Sequence, residues 1–158
     1  MKILDEHVLD APVATVRAMM LDAGFREQVL AAQKVVRSTV SITGDDDVAE
    51  VVLEQAQATD GVPSFVRKLT GDEITITTTE RWSADRAEVT ATIPGAPGGV
   101  TGSTVLVDEG ERTRVVVERD ITVSVPLIGP KIAKFVASMH TKALQKEIAV
   151  AQEWLAEQ

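Results

Sequence analysis

Four side chains place charge, or a group able to move a proton, where the surrounding pattern calls for hydrocarbon. His140 and Glu147 lie seven residues apart near the C-terminus. Two helical turns separate them, so they share one face at a spacing of roughly 10 Å. At about 100° per residue both fall inside the sector occupied by Ile132, Val136, Met139, Ala143, Val150, Ala151 and Trp154. Arg119 shares the parity of Val115, Val117, Ile121, Val123 and Val125, which puts it on the apolar side of a strand. Glu80 shares the parity of Ile74, Ile76 and Trp82. An inward arginine needs a carboxylate, and Glu147 and Glu80 are the two candidates.

Two chemistries follow from such a set. Arg119 facing inward would anchor a ligand's carboxylate or phosphate while aliphatic walls hold its tail. His140, Arg119 and a carboxylate converging on one point would be an acid–base set for cyclase, hydratase or isomerase chemistry. The plainer alternatives stay open beside them. His140 would be a core histidine with a satisfied hydrogen bond, or a residue at the edge of the stripe. A bulge near Arg119–Asp120 would turn the guanidinium outward.

Other chemistry finds little support. Asp45, Asp46 and Asp47 are consecutive, without the alternating ligands and distal Glu of a calcium loop, and read as a solvated turn. The glycines at Gly95, Gly98 and Gly99 lack the Lys-Ser/Thr pair and following helix of a phosphate cradle, and fit the rim of a cavity mouth better. His7 and His140 are the only histidines, too few for a zinc catalytic site. No serine sits in a Gly-x-Ser-x-Gly elbow. No metal and no cofactor are expected.

Composition narrows the partners. The chain has 158 residues, the length of one domain spanning 1–158 with room for a sizeable core. A net charge of -8, with the basic residues scattered, opposes nucleic-acid binding and adhesion to anionic membranes. The absence of Cys excludes disulfides, thiolate catalysis and Cys-ligated zinc. Charged residues break any apolar run after Met1, so no signal peptide is expected, and no apolar stretch approaches the ~20 residues of a membrane span. The expected compartment is the cytoplasm. Aromatic residues are only 3%, so the interior must be largely aliphatic.

Elements that would position the four side chains can be read along the chain. A strand over 2–9 precedes a helix starting at Asp10-Ala11-Pro12, with Asp10 as N-cap. A second short helix covers 25–32. Period-two segments follow at 34–42, 48–57, 73–82, 86–93, 100–107 and 112–125, separated by turn-forming clusters. One turn of helix is expected at 64–69. Residues 131–157 then read as a single helix about 40 Å long. Six strands joined by short turns form an antiparallel meander, and the wide apolar stripe of the last helix must cover its concave face.

That order resembles the START-like (SRPBCC, helix-grip) arrangement. Glu80-Arg81-Trp82, then Ile93-Pro94-Gly95-Ala96-Pro97-Gly98, then Val125-Pro126-Leu127-Ile128-Gly129 with Lys131-Ile132, are similar to a bacterial family of unknown function, domain-of-unknown-function family 2505. The resemblance implies an α+β fold with about seven strands (β-α-α-β6-α) wrapped on a long C-terminal helix, and an apolar cavity between them. It implies no catalytic residues. The expected function is binding of a small hydrophobic or amphipathic ligand, with Arg119, His140, Glu147, Glu80, Trp82, Val136, Met139 and Ala143 as cavity residues. An enzyme using the same cavity, a protein-interaction domain with a filled core, and a homodimer are the alternatives carried forward.

Overall fold

The computed structural model describes residues 1–158. Its elements are β1 (Lys2–Leu9), α1 (Val13–Met20), α2 (Ala23–Ala32), β2 (Arg37–Gly44), β3 (Val48–Ala58), α3 (Ser64–Thr70), β4 (Glu73–Ser83), β5 (Arg86–Thr92), β6 (Gly98–Asp108), β7 (Thr113–Val123) and α4 (Gly129–Ala156). The seven strands form one antiparallel sheet in the order β1-β7-β6-β5-β4-β3-β2. The meander from β2 to β7 is thus joined by β1, which crosses the chain to pair with β7.

Alternation of burial fixes which face looks inward. In β7 the odd positions Thr113, Val115, Val117 and Ile121 are buried while Glu118 and Thr122 are exposed. The hydrogen-bonded registers β1–β7 and β6–β7 run without a break past Arg119 and Asp120, so no bulge rotates the strand there. Arg119 keeps the inward parity.

Directly across from Arg119 stands Gly102. A Cβ on Gly102 would lie 2.0 Å from the Glu118 carbonyl oxygen and 2.9 Å from the Arg119 Cα. Only a residue without a side chain permits this close strand approach. It holds the backbone of Arg119 firmly against β6.

α4 begins with Pro130 in its first turn, where the missing N–H costs nothing, and runs for 28 residues. It packs against β7, β1 and α2. Its deep half buries Ala151 against the main core, with Val150 and Trp154 beside it. Trp154 meets Phe25 of α2 edge-to-face, with ring centroids 5.8 Å apart. The core, containing Leu9, Val16, Phe25, Val51, Trp82, Val115 and Ala151, therefore fills the closed end between sheet and helices.

Local boundaries differ from the sequence expectation in three places. Pro12, not Asp10, caps α1, and Asp10 is exposed. Asp22 caps α2 instead, its Oδ1 accepting a hydrogen bond from the Phe25 N–H at 3.1 Å, so Gly24 lies inside the helix and does not interrupt it. Gly98 and Gly99 belong to β6 and are not part of the loop. No helix is long and apolar enough to cross a membrane.

Candidate functional site

Between the inner face of the sheet and α4 lies a cavity of about 230 Å³, lined by 37 residues of which 22 are hydrophobic. This is somewhat below the ~300–1,000 Å³ typical of pockets for drug-sized ligands, so it suits a small occupant. The interior is not completely filled, unlike the filled core that a protein-interaction domain would carry. Exposure varies along the cavity. At one end the lining residues Leu69, Thr92, Pro97, Gly98 and Thr122 are exposed and form the rim. At the other, Trp82, Val89, Val115 and Arg26 are buried and close the floor. The Pro-Gly segment thus reaches the mouth through Ala96 and Pro97, as its composition led one to expect.

All eight residues singled out from the sequence line this space: Arg119, His140, Glu147, Glu80, Trp82, Val136, Met139 and Ala143. Their partners differ from expectation. Glu80 was a candidate partner for Arg119, but Arg26 of α2 takes it. Arg26 Nη2 and Nη1 donate to the two Glu80 oxygens at 2.7 and 3.0 Å, and its Nε donates to the Met20 carbonyl at 2.8 Å. Trp82 Nε1 donates to Glu80 Oε1 at 2.9 Å. Glu147 Oε1 sits 3.8 Å from Arg26 Nη1. Burial opposes the charge on Arg26, but Glu80 and Glu147 outweigh it and hold the guanidinium above its ordinary pKa. This is a buried, bidentate ion pair.

Arg26 escaped the sequence reading, although a signal existed. Arg26, Val29, Leu30 and Gln33 recur at i, i+3, i+4 and i+7, so the arginine lies on the apolar stripe of α2. All four line the cavity.

Arg119 points inward yet meets no carboxylate at ion-pair distance. Its Nη1 donates to the carbonyls of Ser103 at 2.6 Å and Glu118 at 2.8 Å, and its Nη2 donates to Thr104 Oγ1 at 3.0 Å. Burial pulls its pKa below the ordinary value, with Glu80 and Glu147 opposing from a distance. A guanidinium has five N–H donors. Three are used here, and two have no protein partner on a cation with no carboxylate at ion-pair distance.

His140 lies near it. Burial first, then the Arg119 cation, lowers the imidazole pKa to about 4, with Asp5 opposing. The ring is neutral at pH 7, and its Nδ1 is buried with no hydrogen-bond partner. The expectation of a satisfied core histidine is therefore not met. Glu147 is also held away from its ordinary titration. Burial raises its pKa, opposed by Arg26 and reinforced by Glu80. Its side chain keeps 27% of its surface accessible, and that surface lines the cavity.

The remaining groups lie elsewhere. Asp45 Oδ1 accepts from the N–H groups of Asp47 and Val48 at 2.9 and 3.0 Å, which makes the acidic run a turn device. His7 Nδ1 and Asp5 Oδ2 are 2.8 Å apart on β1, outside the cavity lining.

Sequence comparison places this geometry in a family. The family described as Protein of unknown function (DUF2505) matches residues 6–155. The chain belongs to it. A search of curated proteins finds no significant match. Among solved structures, a Thermus thermophilus protein is 18% identical with a TM-score of 0.65, covering 97% of this chain and 95% of that one. The Zhui aromatase/cyclase of Streptomyces sp. R1128 is 11% identical with a TM-score of 0.67, covering 97% and 92%. A START superfamily protein of Mycobacterium smegmatis is 12% identical with a TM-score of 0.61, covering 99% and 97%. At these identities the likeness is one of fold. The DUF2505 chain has a START-like α+β fold, a curved seven-stranded sheet held around a long C-terminal helix.

Proposed function

We propose that this DUF2505 protein is a binding module for a small hydrophobic or amphipathic molecule, held between the sheet and α4. The observation that carries the reading is the cavity of about 230 Å³, whose aliphatic wall is interrupted by the unpartnered Nδ1 of His140 and by Arg119, bonded only to neutral acceptors. Aliphatic walls repay the desolvation of a greasy body, and a few polar groups orient one end of it.

Native mass spectrometry of the purified protein, before and after organic extraction, tests the reading. The expected result is a small-molecule adduct that extraction removes and that added medium-chain lipid restores. Ala143→Phe, which puts a ring into the cavity, is expected to abolish uptake while leaving the circular dichroism unchanged. Uptake that survives Ala143→Phe would place binding elsewhere.

Acid–base catalysis is the second reading, favoured by one observation: neutral His140 beside Arg119. A general base needs a partner that orients its ring, and the Nδ1 of His140 has none. Binding without chemistry is the better supported reading.

A further inference from the structure

We propose that the ligand's polar end is a carboxylate, received by Arg119, with the apolar body extending from there toward the rim at Leu69 and Pro97. This rests on the binding reading above and assigns the chemical class of its ligand.

The argument begins with two arginines in one interior. Arg26 is charge-compensated: a bidentate carboxylate, a main-chain carbonyl, and a second carboxylate 3.8 Å from Nη1. Its charge is already met by the protein's own carboxylates. Arg119 is bonded only by neutral acceptors, two carbonyls and one hydroxyl. A half-buried cation with no carboxylate at ion-pair distance is costly to keep, and it is retained where something else supplies the charge. Those three bonds also hold the guanidinium in place, so much of the entropy of ordering it is already met. A planar fork of this kind matches a carboxylate.

The surroundings select against other heads. Glu80 is neutralised by Arg26, and burial shifts the nearby Glu147 toward its neutral form, so the pair adds little repulsion. His140 is uncharged beside Arg119. No further lysine or arginine lines the cavity, and a doubly charged phosphate head would find one cation available. A single negative charge balances Arg119 best. Toward the rim from Arg119, the wall consists of Ile121, Val123, Val100, Ile132 and Val136, hydrocarbon suited to an aliphatic tail. Toward the floor stand Arg26, Glu80 and Glu147, which would have to be covered by any tail laid the other way.

Decanoate and decanol, equal in chain length and differing in the head, separate the possibilities by isothermal titration calorimetry on the delipidated full chain. Wild type is expected to bind decanoate at least roughly tenfold more tightly than decanol, the size of one charge-assisted hydrogen bond. Arg119→Gln should abolish that preference and leave decanol within about twofold. Arg119→Lys should retain part of it, and Lys134→Ala, on the exposed side of α4, all of it. Equal affinities in wild type, or a preference that survives Arg119→Gln, would overturn the carboxylate assignment and leave cavity binding standing. Failure of both probes to bind wild type would overturn the binding reading and the carboxylate assignment together. Because the first comparison uses wild type alone, the outcome does not depend on whether a variant folds.

Discussion

Arg26 and Arg119 enter the same cavity from opposite walls, one from α2 and the other from β7, and the structure treats them in opposite ways. Around Arg26 the protein supplies the counter-charge, with Glu80 as its bidentate partner and Trp82 fixing Glu80 in turn. Around Arg119 it supplies only neutral acceptors. The contrast teaches that one interior charge is compensated by the protein's own carboxylates while the other is met only by neutral acceptors.

The largest expected effect comes from breaking the compensated side. Arg26→Met leaves Glu80 buried and unpaired and should cost about 3–5 kcal/mol in urea unfolding. Glu80→Gln should cost a similar amount, and the double variant less than the two losses summed, because the interaction is shared. Strict additivity would dissolve the pairing as the explanation.

Next is the strand contact beneath Arg119. Gly102→Ala forces a methyl against the Glu118 carbonyl and should lower stability by about 2 kcal/mol or more. A neutral effect would show that β6 and β7 separate freely there.

On the uncompensated side the stability effect should be small. Arg119→Met removes a costly cation together with three hydrogen bonds, and the net change is expected to stay within about 1 kcal/mol. The same substitution removes the neighbouring positive charge and should raise the His140 pKa above about 4, read from imidazole proton shifts. A loss for Arg119→Met as large as for Arg26→Met would erase the distinction between the two sites.

The smallest effect sharpens the comparison through pH. The folded-state pKa of His140 is depressed to about 4 from an ordinary value of 6.5. The unfolded chain therefore takes up a proton that the folded one refuses. Stability linked to this group is complete above pH 6.5 and is lost as pH falls from 6.5 toward 4. His140→Gln should flatten that acid-side loss, measured as the shift in urea midpoint between pH 7 and pH 5. Glu147 acts with the opposite sign. Its raised folded-state pKa means stability is lost as pH rises above the ordinary 4.5, so Glu147→Gln should raise the midpoint at pH 7.

Much of this site is legible in the sequence. Period-two alternation places Arg119 and Glu80 on inner faces, and helical period places His140 and Glu147 on the buried side of α4, because side-chain direction follows the backbone repeat alone. The pairing is not legible. Nothing in a one-dimensional pattern says that α2 crosses the floor of the cavity and delivers Arg26 to Glu80 before Arg119 can reach it. The same holds for Asp10, a good N-cap by type that lost the position because the helix begins after Pro12. Such local preferences are worth about 1 kcal/mol, and tertiary packing overrides them.

By itself the sequence determined the order of elements, the faces they bury and the family, since hydrophobic periodicity, turn residues and motif identity are properties of neighbours along the chain. The tertiary structure alone decided that the interior keeps a hollow, that one arginine is neutralised, and that the other is left facing the hollow. Volume and charge compensation depend on distances between side chains as far apart in the chain as Arg26 and Glu147, and only the folded arrangement sets those distances.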